Sequence, residues 1–117
     1  MDDRTEFRAL LLRPAEGVAV VEVGGEVDLY TSSQLRDLLF DAIQEGADHV
    51  IVDLCEVSFI DSSGLGVLVS SARTLGTRGE IITILCGPGV VARALEITGL
   101  GGVFAIYAPR AEPGPSS

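Results

Sequence analysis

The chain has 117 residues, of which 47% are hydrophobic and 21% are charged, proportions typical of a globular domain and not of a disordered chain. Its 17 acidic residues outnumber its 8 Lys and Arg residues, and the formal net charge of -9 argues against a nucleic-acid partner and against docking on anionic lipid. All of those basic residues are Arg, so lysine Schiff-base chemistry and a P-loop lysine are excluded.

The distribution of polar and apolar residues predicts one cytoplasmic domain. Residues 1–6 are polar and acidic, unlike a signal peptide, and no apolar run approaches the roughly 20 residues of a membrane helix. We expect residues 1–110 to form the domain. Residues 111–117 are rich in Pro, Gly and Ser and are predicted to be a disordered tail.

The first elements are predicted to be a β-hairpin and a helix. Apolar runs at residues 7–12 and 18–23 flank a Pro/Gly loop, and the glycines at 24 and 25 are expected to end the second strand. Thr31 with Gln34 has the spacing of a capping box, which predicts a helix from about Thr31 to Glu45 that stops at Gly46. Its apolar stripe consists of Leu35, Leu38, Leu39, Ala42 and Ile43.

The rest of the chain alternates between strand and helix patterns. Residues 50–54 are predicted to be a buried strand, residues 55–58 a polar turn, and residues 59–60 the end of an extended segment before the second helix. A strand at 81–86, a helix from about 90 that ends at Gly99 and a last strand at 103–107 follow. The order β-β-α-β-α-β-α-β predicts an α/β fold with a mixed, mostly parallel sheet and helices packed on it.

The chain offers few groups for catalysis or metal binding. His49 is the single histidine and is expected to be a surface residue at a strand edge, while Cys55 and Cys86 lack zinc or redox spacing and are expected to be buried free thiols. Neither a metal-ligand set nor a dinucleotide loop is recognisable. We therefore expect no catalytic residues, no cofactor and no metal, and predict that the protein is not an enzyme.

One segment carries more small residues than helix capping requires. Residues 59–66 read Phe-Ile-Asp-Ser-Ser-Gly-Leu-Gly, and a cap needs only one of the polar side chains. Gly64 and Gly66 would each cost a helix about 1 kcal/mol, which suggests close approach by another surface. A serine hydroxyl at a helix N-terminus could also accept a phosphoryl group, because the partial positive charge there tolerates the new negative charge.

At this segment the sequence resembles the STAS family, and within it the bacterial anti-sigma factor antagonists. Residues 59–68 are similar to the pattern F-[IM]-D-S-[ST]-G-L-G-V, residues 25–28 to the G-E-[LV]-D segment before the first helix, and residues 91–100 to V-x-R-x-L-x-x-[ST]-G-L. The resemblance extends from about Val18 to Tyr107. The turn at residues 86–89 departs from it, since relatives often carry an Asn-Pro-Ser-Pro-like turn there.

The resemblance implies a phosphorylation-switched binding protein. The unphosphorylated antagonist would bind an anti-sigma factor that is also a serine kinase of the histidine-kinase-like ATPase type, and so release a sigma factor. Phosphorylation of Ser62, the serine directly after Asp61, would end the binding, and a serine phosphatase would reset it. The implied partner-binding surface consists of Asp28, Leu29, Tyr30, Thr31, Asp61, Ser62, Ser63, Gly64 and Leu65. Strands that end at the same sheet edge are expected to bring Asp28 near Ser62.

Two alternatives remain open at this point. The chain could be a STAS module of another assembly, such as a stressosome-like scaffold, a lipid-transport complex or a solute-sensing switch. It could also be a small nucleotide-dependent phosphotransferase with Ser62 as nucleophile, although it offers no phosphate-binding lysine, nearby base or metal set.

Overall fold

The chain folds as strands and helices in the order that the sequence predicts. The structure, a computed structural model, describes residues 6–99 and 105–107. Its elements are β1 (Arg8–Ala15), β2 (Val18–Val27), α1 (Ser32–Gln44), β3 (His49–Ile60), α2 (Ser62–Gly76), β4 (Ile81–Leu85), α3 (Val90–Thr98) and β5 (Ala105–Tyr107). The predicted tail and the first residues of the predicted last strand lie outside the described residues.

The strands form one 5-stranded mixed sheet in the order β1-β2-β3-β4-β5. β1 runs antiparallel to β2, and the remaining neighbours are parallel. Parallel neighbours need a crossover, and a helix lies between each parallel pair in the chain. The predicted α/β class with a mixed, mostly parallel sheet is confirmed.

The core lies where one face of the sheet meets the apolar stripes of the helices. Alternate residues pair in register across the central strands and are buried, as in the row Val21, Val52 and Ile84. Because side chains alternate across a strand, this register puts one continuous apolar face toward the helices. Of the predicted α1 stripe, Leu35, Leu39, Ala42 and Ile43 are buried, and Leu38 is only partly buried.

The glycines at 24 and 25 do not end β2, contrary to the sequence-based expectation. The strand continues to Val27, with shifts in its register against β3 on both sides of this pair. Gly25 has φ +84°, and a Cβ there would lie 2.2 Å from the backbone oxygen of Glu6. The glycine thus permits a bulge and a close approach of the preceding segment without ending the strand.

Residues 55–58 are also strand and not the predicted turn. β3 runs unbroken from His49 to Ile60, and Glu56 and Val57 pair with Gly24 and Gly25 of the bulged strand. The polar side chains in this stretch are solvent-exposed, because β3 extends beyond Asp53, the last residue paired with β4. Pairing with β2 therefore overrides the local turn signal.

The polar groups outside the site have structural roles. His49 is the first residue of β3, as expected, but it is half-buried, and its Nε2 is 2.7 Å from Thr83 Oγ1. Cys86 is buried as expected, but Cys55 is exposed. Desolvation, followed by the hydrogen bond and negative charge of Asp53, raises the pKa of Cys55 to about 11, which favours the protonated thiol at neutral pH.

Candidate functional site

The first turn of α2 is built around the carboxylate of Asp61. Asp61 is the N-cap, and its Oδ1 accepts hydrogen bonds from the backbone N–H groups of Ser63 at 2.8 Å and Gly64 at 3.2 Å. An N-cap carboxylate satisfies donors that have no partner inside the helix and offsets the partial positive charge there. The capping role that the sequence assigns to this segment belongs to Asp61.

Ser62 follows the cap and is exposed at the helix N-terminus. Its hydroxyl makes no hydrogen bond to any residue within 6–99 or 105–107, whereas Ser63 is half-buried. No His, Asp or Glu side chain in those ranges is therefore hydrogen-bonded to the Ser62 hydroxyl as a general base would be. The geometry suits a hydroxyl modified by an external enzyme better than a nucleophile activated within this protein.

The loop before α1 is organised by Asp28 and not by the predicted capping box. Thr31 makes no side-chain cap hydrogen bond to α1. Instead, Asp28 Oδ1 accepts from the backbone N–H groups of Tyr30 and Thr31, both at 2.9 Å, and these bonds lower the pKa of Asp28. The Thr31 hydroxyl in turn accepts from the Asp28 backbone N–H at 2.9 Å. The short polar side chain of Asp28 reaches these amides because the chain turns there, and it thereby orders the loop that leads into α1.

The two loops follow neighbouring strands at the same edge of the sheet. Val27 and Ile60 are paired in register, and the Asp61 backbone N–H donates to the Val27 carbonyl at 3.1 Å. The residues that follow each strand are thereby held side by side. On the β2–α1 loop, Leu29 is 67% exposed and Tyr30 is 81% exposed. Exposed apolar and aromatic side chains beside an exposed serine are typical of a protein-binding surface.

Gly64 and Leu65, which were predicted to contact a partner, lie inside the domain. Leu65 is 9% exposed and belongs to the core. A Cβ at Gly64 would lie 2.7 Å from Val27 Cγ1 and 2.8 Å from Ile60 Cγ1. At Gly64 it is therefore the protein's own sheet that approaches the helix closely. The sequence-based expectation that this glycine makes room for the surface of a partner was wrong.

Gly66 differs from Gly64, because a Cβ there would meet nothing within 4 Å. We expect Gly64→Ala to lower the free energy of unfolding by about 1–3 kcal/mol through overpacking, although alanine is the better helix former. Gly66→Ala, the matched control, is expected to leave stability unchanged or raise it. Urea denaturation of both variants measures the difference, and equal stability would contradict the packing role of Gly64.

A groove of about 610 Å³ runs along α2 from Ser62. Its lining includes Gly66, Ser70 and Arg73 of α2, and Thr98 from the end of α3. We call this the α2 groove. Sequence reasoning singled out the start of α2 but missed the groove, although small residues at intervals of four from Ser62 are a signal that could have pointed to it.

Metal chemistry and membrane crossing find no support in the described ranges. Among residues 6–99 and 105–107, no group of three or more His, Cys, Asp or Glu side chains could hold a metal ion. In the same ranges, none of the helices has the length and apolar character that a bilayer crossing needs.

Comparisons with known proteins point to one family. A family model for the STAS domain matches residues 10–112. The anti-sigma-B factor antagonist of Staphylococcus epidermidis is 40% identical over 80 residues, which is 68% of this chain and 74% of the relative. The protein of the same description from Staphylococcus aureus (strain NCTC 8325 / PS 47) is 39% identical over the same shares.

Solved structures agree with this match. An anti-sigma factor antagonist from Mycobacterium paratuberculosis is 26% identical, with a TM-score of 0.80 over 91% of this chain and 88% of that one. The antagonist SpoIIAA in its unphosphorylated form is 25% identical, with a TM-score of 0.75 over 87% and 90%. The Bacillus cell fate determinant SpoIIAA in its phosphorylated form is 26% identical, with a TM-score of 0.69 over 87% and 93%.

Proposed function

Because the chain belongs to the STAS domain family, we propose that it is an anti-sigma factor antagonist controlled by phosphorylation of Ser62. It is a regulatory binding protein and not an enzyme, as the descriptions of its relatives indicate. In the unphosphorylated state it binds an anti-sigma factor and thereby frees a sigma factor. The anti-sigma factor is a serine kinase of the histidine-kinase-like ATPase type, a serine phosphatase restores the hydroxyl, and the exchange takes place in the cytoplasm.

The observation that carries this proposal is the position of the Ser62 hydroxyl. It is exposed on the first turn of α2, which follows the strand paired with the one that leads to Leu29 and Tyr30, and it has no hydrogen bond to the described residues. A helix N-terminus tolerates the charge of a phosphoryl group through its dipole, even though Asp61 already accepts from the N–H groups of Ser63 and Gly64. The solved relative SpoIIAA exists in unphosphorylated and phosphorylated forms, which supports a switch of this kind.

The proposed binding surface consists of the side chains that the two loops expose. Leu29, Tyr30 and Ser62 are solvent-exposed, and Asp28, Thr31, Asp61 and Ser63 are half-buried. Asp28 acts mainly by holding Tyr30 outward, since its carboxylate is occupied by its own loop. Gly64 and Leu65 support this surface from the core instead of contacting the partner.

The proposal is tested with the cognate ATPase-type kinase, ATP and Mg²⁺. Wild-type protein and Ser63→Ala are expected to incorporate one phosphoryl group, and Ser62→Ala none, as read by intact-protein mass spectrometry and phosphopeptide mapping. Labelling of Ser62→Ala would overturn the assignment of the acceptor. Incorporation from ATP without added kinase would instead support the phosphotransferase alternative.

The STAS module of another assembly is the remaining alternative. Pull-downs with wild-type and Ser62→Ala proteins distinguish it, since an antagonist is expected to retain a small ATPase-type kinase, and Ser62→Ala to retain more of it. Recovery of scaffold or transport subunits in place of the kinase would contradict the proposed function.

A further inference from the structure

The α2 groove differs in charge from the rest of this acidic protein. The chain has a formal net charge of -9, yet none of the described residues that line the groove is acidic. Within 6–99 and 105–107, the one charged residue in its lining is Arg73, which lies in the last turn of α2. A patch that carries Arg73 and no described carboxylate is suited to a partner that brings negative charge to its Arg73 end.

The surface of the groove allows close approach from outside. Ser62, Gly66 and Ser70 follow one another at intervals of four residues and so lie on one face of α2. The internal packing that requires a glycine at 64 is absent at 66, where an added Cβ would enter open space. Gly66 is exposed on the helix and has no internal contact that requires a glycine. The absence of a side chain there leaves room for the backbone or a side chain of another molecule to pack against α2.

Arg73 supplies a specific contact at the far end. Among residues 6–99 and 105–107, no side chain forms an ion pair or hydrogen bond with its guanidinium. At a rise of about 1.5 Å per residue, Arg73 lies about 16 Å along the helix axis from Ser62. That separation is too large for Arg73 to contact a phosphoryl group in transfer to Ser62, so its anionic partner is a different group.

We propose that the α2 groove is a second docking site for the kinase that modifies Ser62, with Arg73 receiving a carboxylate of that protein. The inference rests on the proposed function, because it assumes that a kinase approaches Ser62. Guanidinium and carboxylate groups form paired, charge-assisted hydrogen bonds, which makes an Asp or Glu side chain the fitting occupant. The contact lies outside the reacting atoms, and Arg73 therefore acts in substrate docking and not in phosphoryl transfer.

The experiment measures steady-state phosphorylation of this protein by the kinase that labels wild type but not Ser62→Ala. For Arg73→Gln, KM for the protein substrate is expected to rise about fivefold, and for Arg73→Glu about tenfold or more, with kcat unchanged. Arg93→Glu is the matched control, because it changes net charge equally from an exposed α3 position outside the lining of the groove. Its KM is expected to stay within about twofold of wild type.

Gly66→Gln tests the steric part of the inference independently of charge. Its side chain would project into the groove, and we expect KM to rise while the melting temperature does not fall. Melting temperatures of all variants separate docking from the stability of α2. If Arg73 had only a structural role, its replacement would change the melting temperature and leave the KM of the folded protein unchanged. Wild-type KM for both Arg73→Gln and Arg73→Glu would overturn the inference, whereas failure of wild type to be phosphorylated would overturn the proposed function itself.

Discussion

Replacing Ser62 by aspartate is expected to weaken binding to the anti-sigma factor roughly 30- to 150-fold relative to Ser62→Ala, which corresponds to about 2–3 kcal/mol. The carboxylate would lie in a contact built from small side chains, next to the negative charge of Asp61. Burying it there against a partner requires desolvation without a matching cation. Phosphoserine would carry about -1.5 to -2 charges at pH 7, so its effect is expected to be larger.

The fold is expected to tolerate this substitution, because Ser62 is exposed and a negative charge in the first turn of a helix is favourable. Ser62→Asn is the matched control, since it has nearly the shape of aspartate without its charge. Calorimetric titration of all the variants against the anti-sigma factor separates size from charge. If Ser62→Asp bound as tightly as Ser62→Ala, an electrostatic switch at this position would be ruled out.

Leu39→Ala is expected to lower the free energy of unfolding by about 2–5 kcal/mol. Leu39 is fully buried on the α1 face that packs on the core, and its truncation leaves a cavity that the close-packed surroundings fill only in part. Phe40, the next residue along the helix, is 57% exposed and provides the control. Phe40→Ala is expected to change stability by less than about 0.5 kcal/mol.

Urea denaturation followed by circular dichroism measures both variants. Similar losses for Leu39→Ala and Phe40→Ala would mean that the apolar stripe of α1 does not form the core. A loss confined to Leu39→Ala would agree with the burial of this helix in the structure.

The site was predictable where its signals are local. Asp61 caps α2 through amides of residues that follow it directly, and such a bond depends on little beyond the neighbouring sequence. The helical stripe that buries Leu39 is likewise a pattern within one element. The element order and the position of Ser62 at a helix start could therefore be predicted from the residues alone.

The prediction of a capping box at Thr31 was right in the position of the cap and wrong in its hydrogen bond, because Thr31 is the N-cap residue of α1 but its side chain bonds to no amide of the helix. Thr31 and Asp28 both have oxygens within reach of that turn, and the spacing in the sequence favours Thr31. The folded chain turns so that Asp28 accepts the hydrogen bonds and Thr31 joins the network around it. The backbone leaving β2 places the Thr31 hydroxyl against the Glu26 carbonyl and the Asp28 N–H, and not against an amide of α1.

The sequence by itself determined the alternating α/β order and a helix cap at Asp61 or Ser62, because each depends on residues close together in the chain. The choice of Ser62 as the candidate phosphoacceptor came from the resemblance to the STAS family. Only the tertiary structure decided that Gly64 packs against Val27 while Gly66 faces open space. It also decided that β2 continues through Gly25, beside Glu6, and that Arg73 and Thr98 line one groove with Ser62. Each of these features is a contact between segments that are distant in the sequence. A local sequence pattern does not specify which residues of two such segments will be in contact after folding.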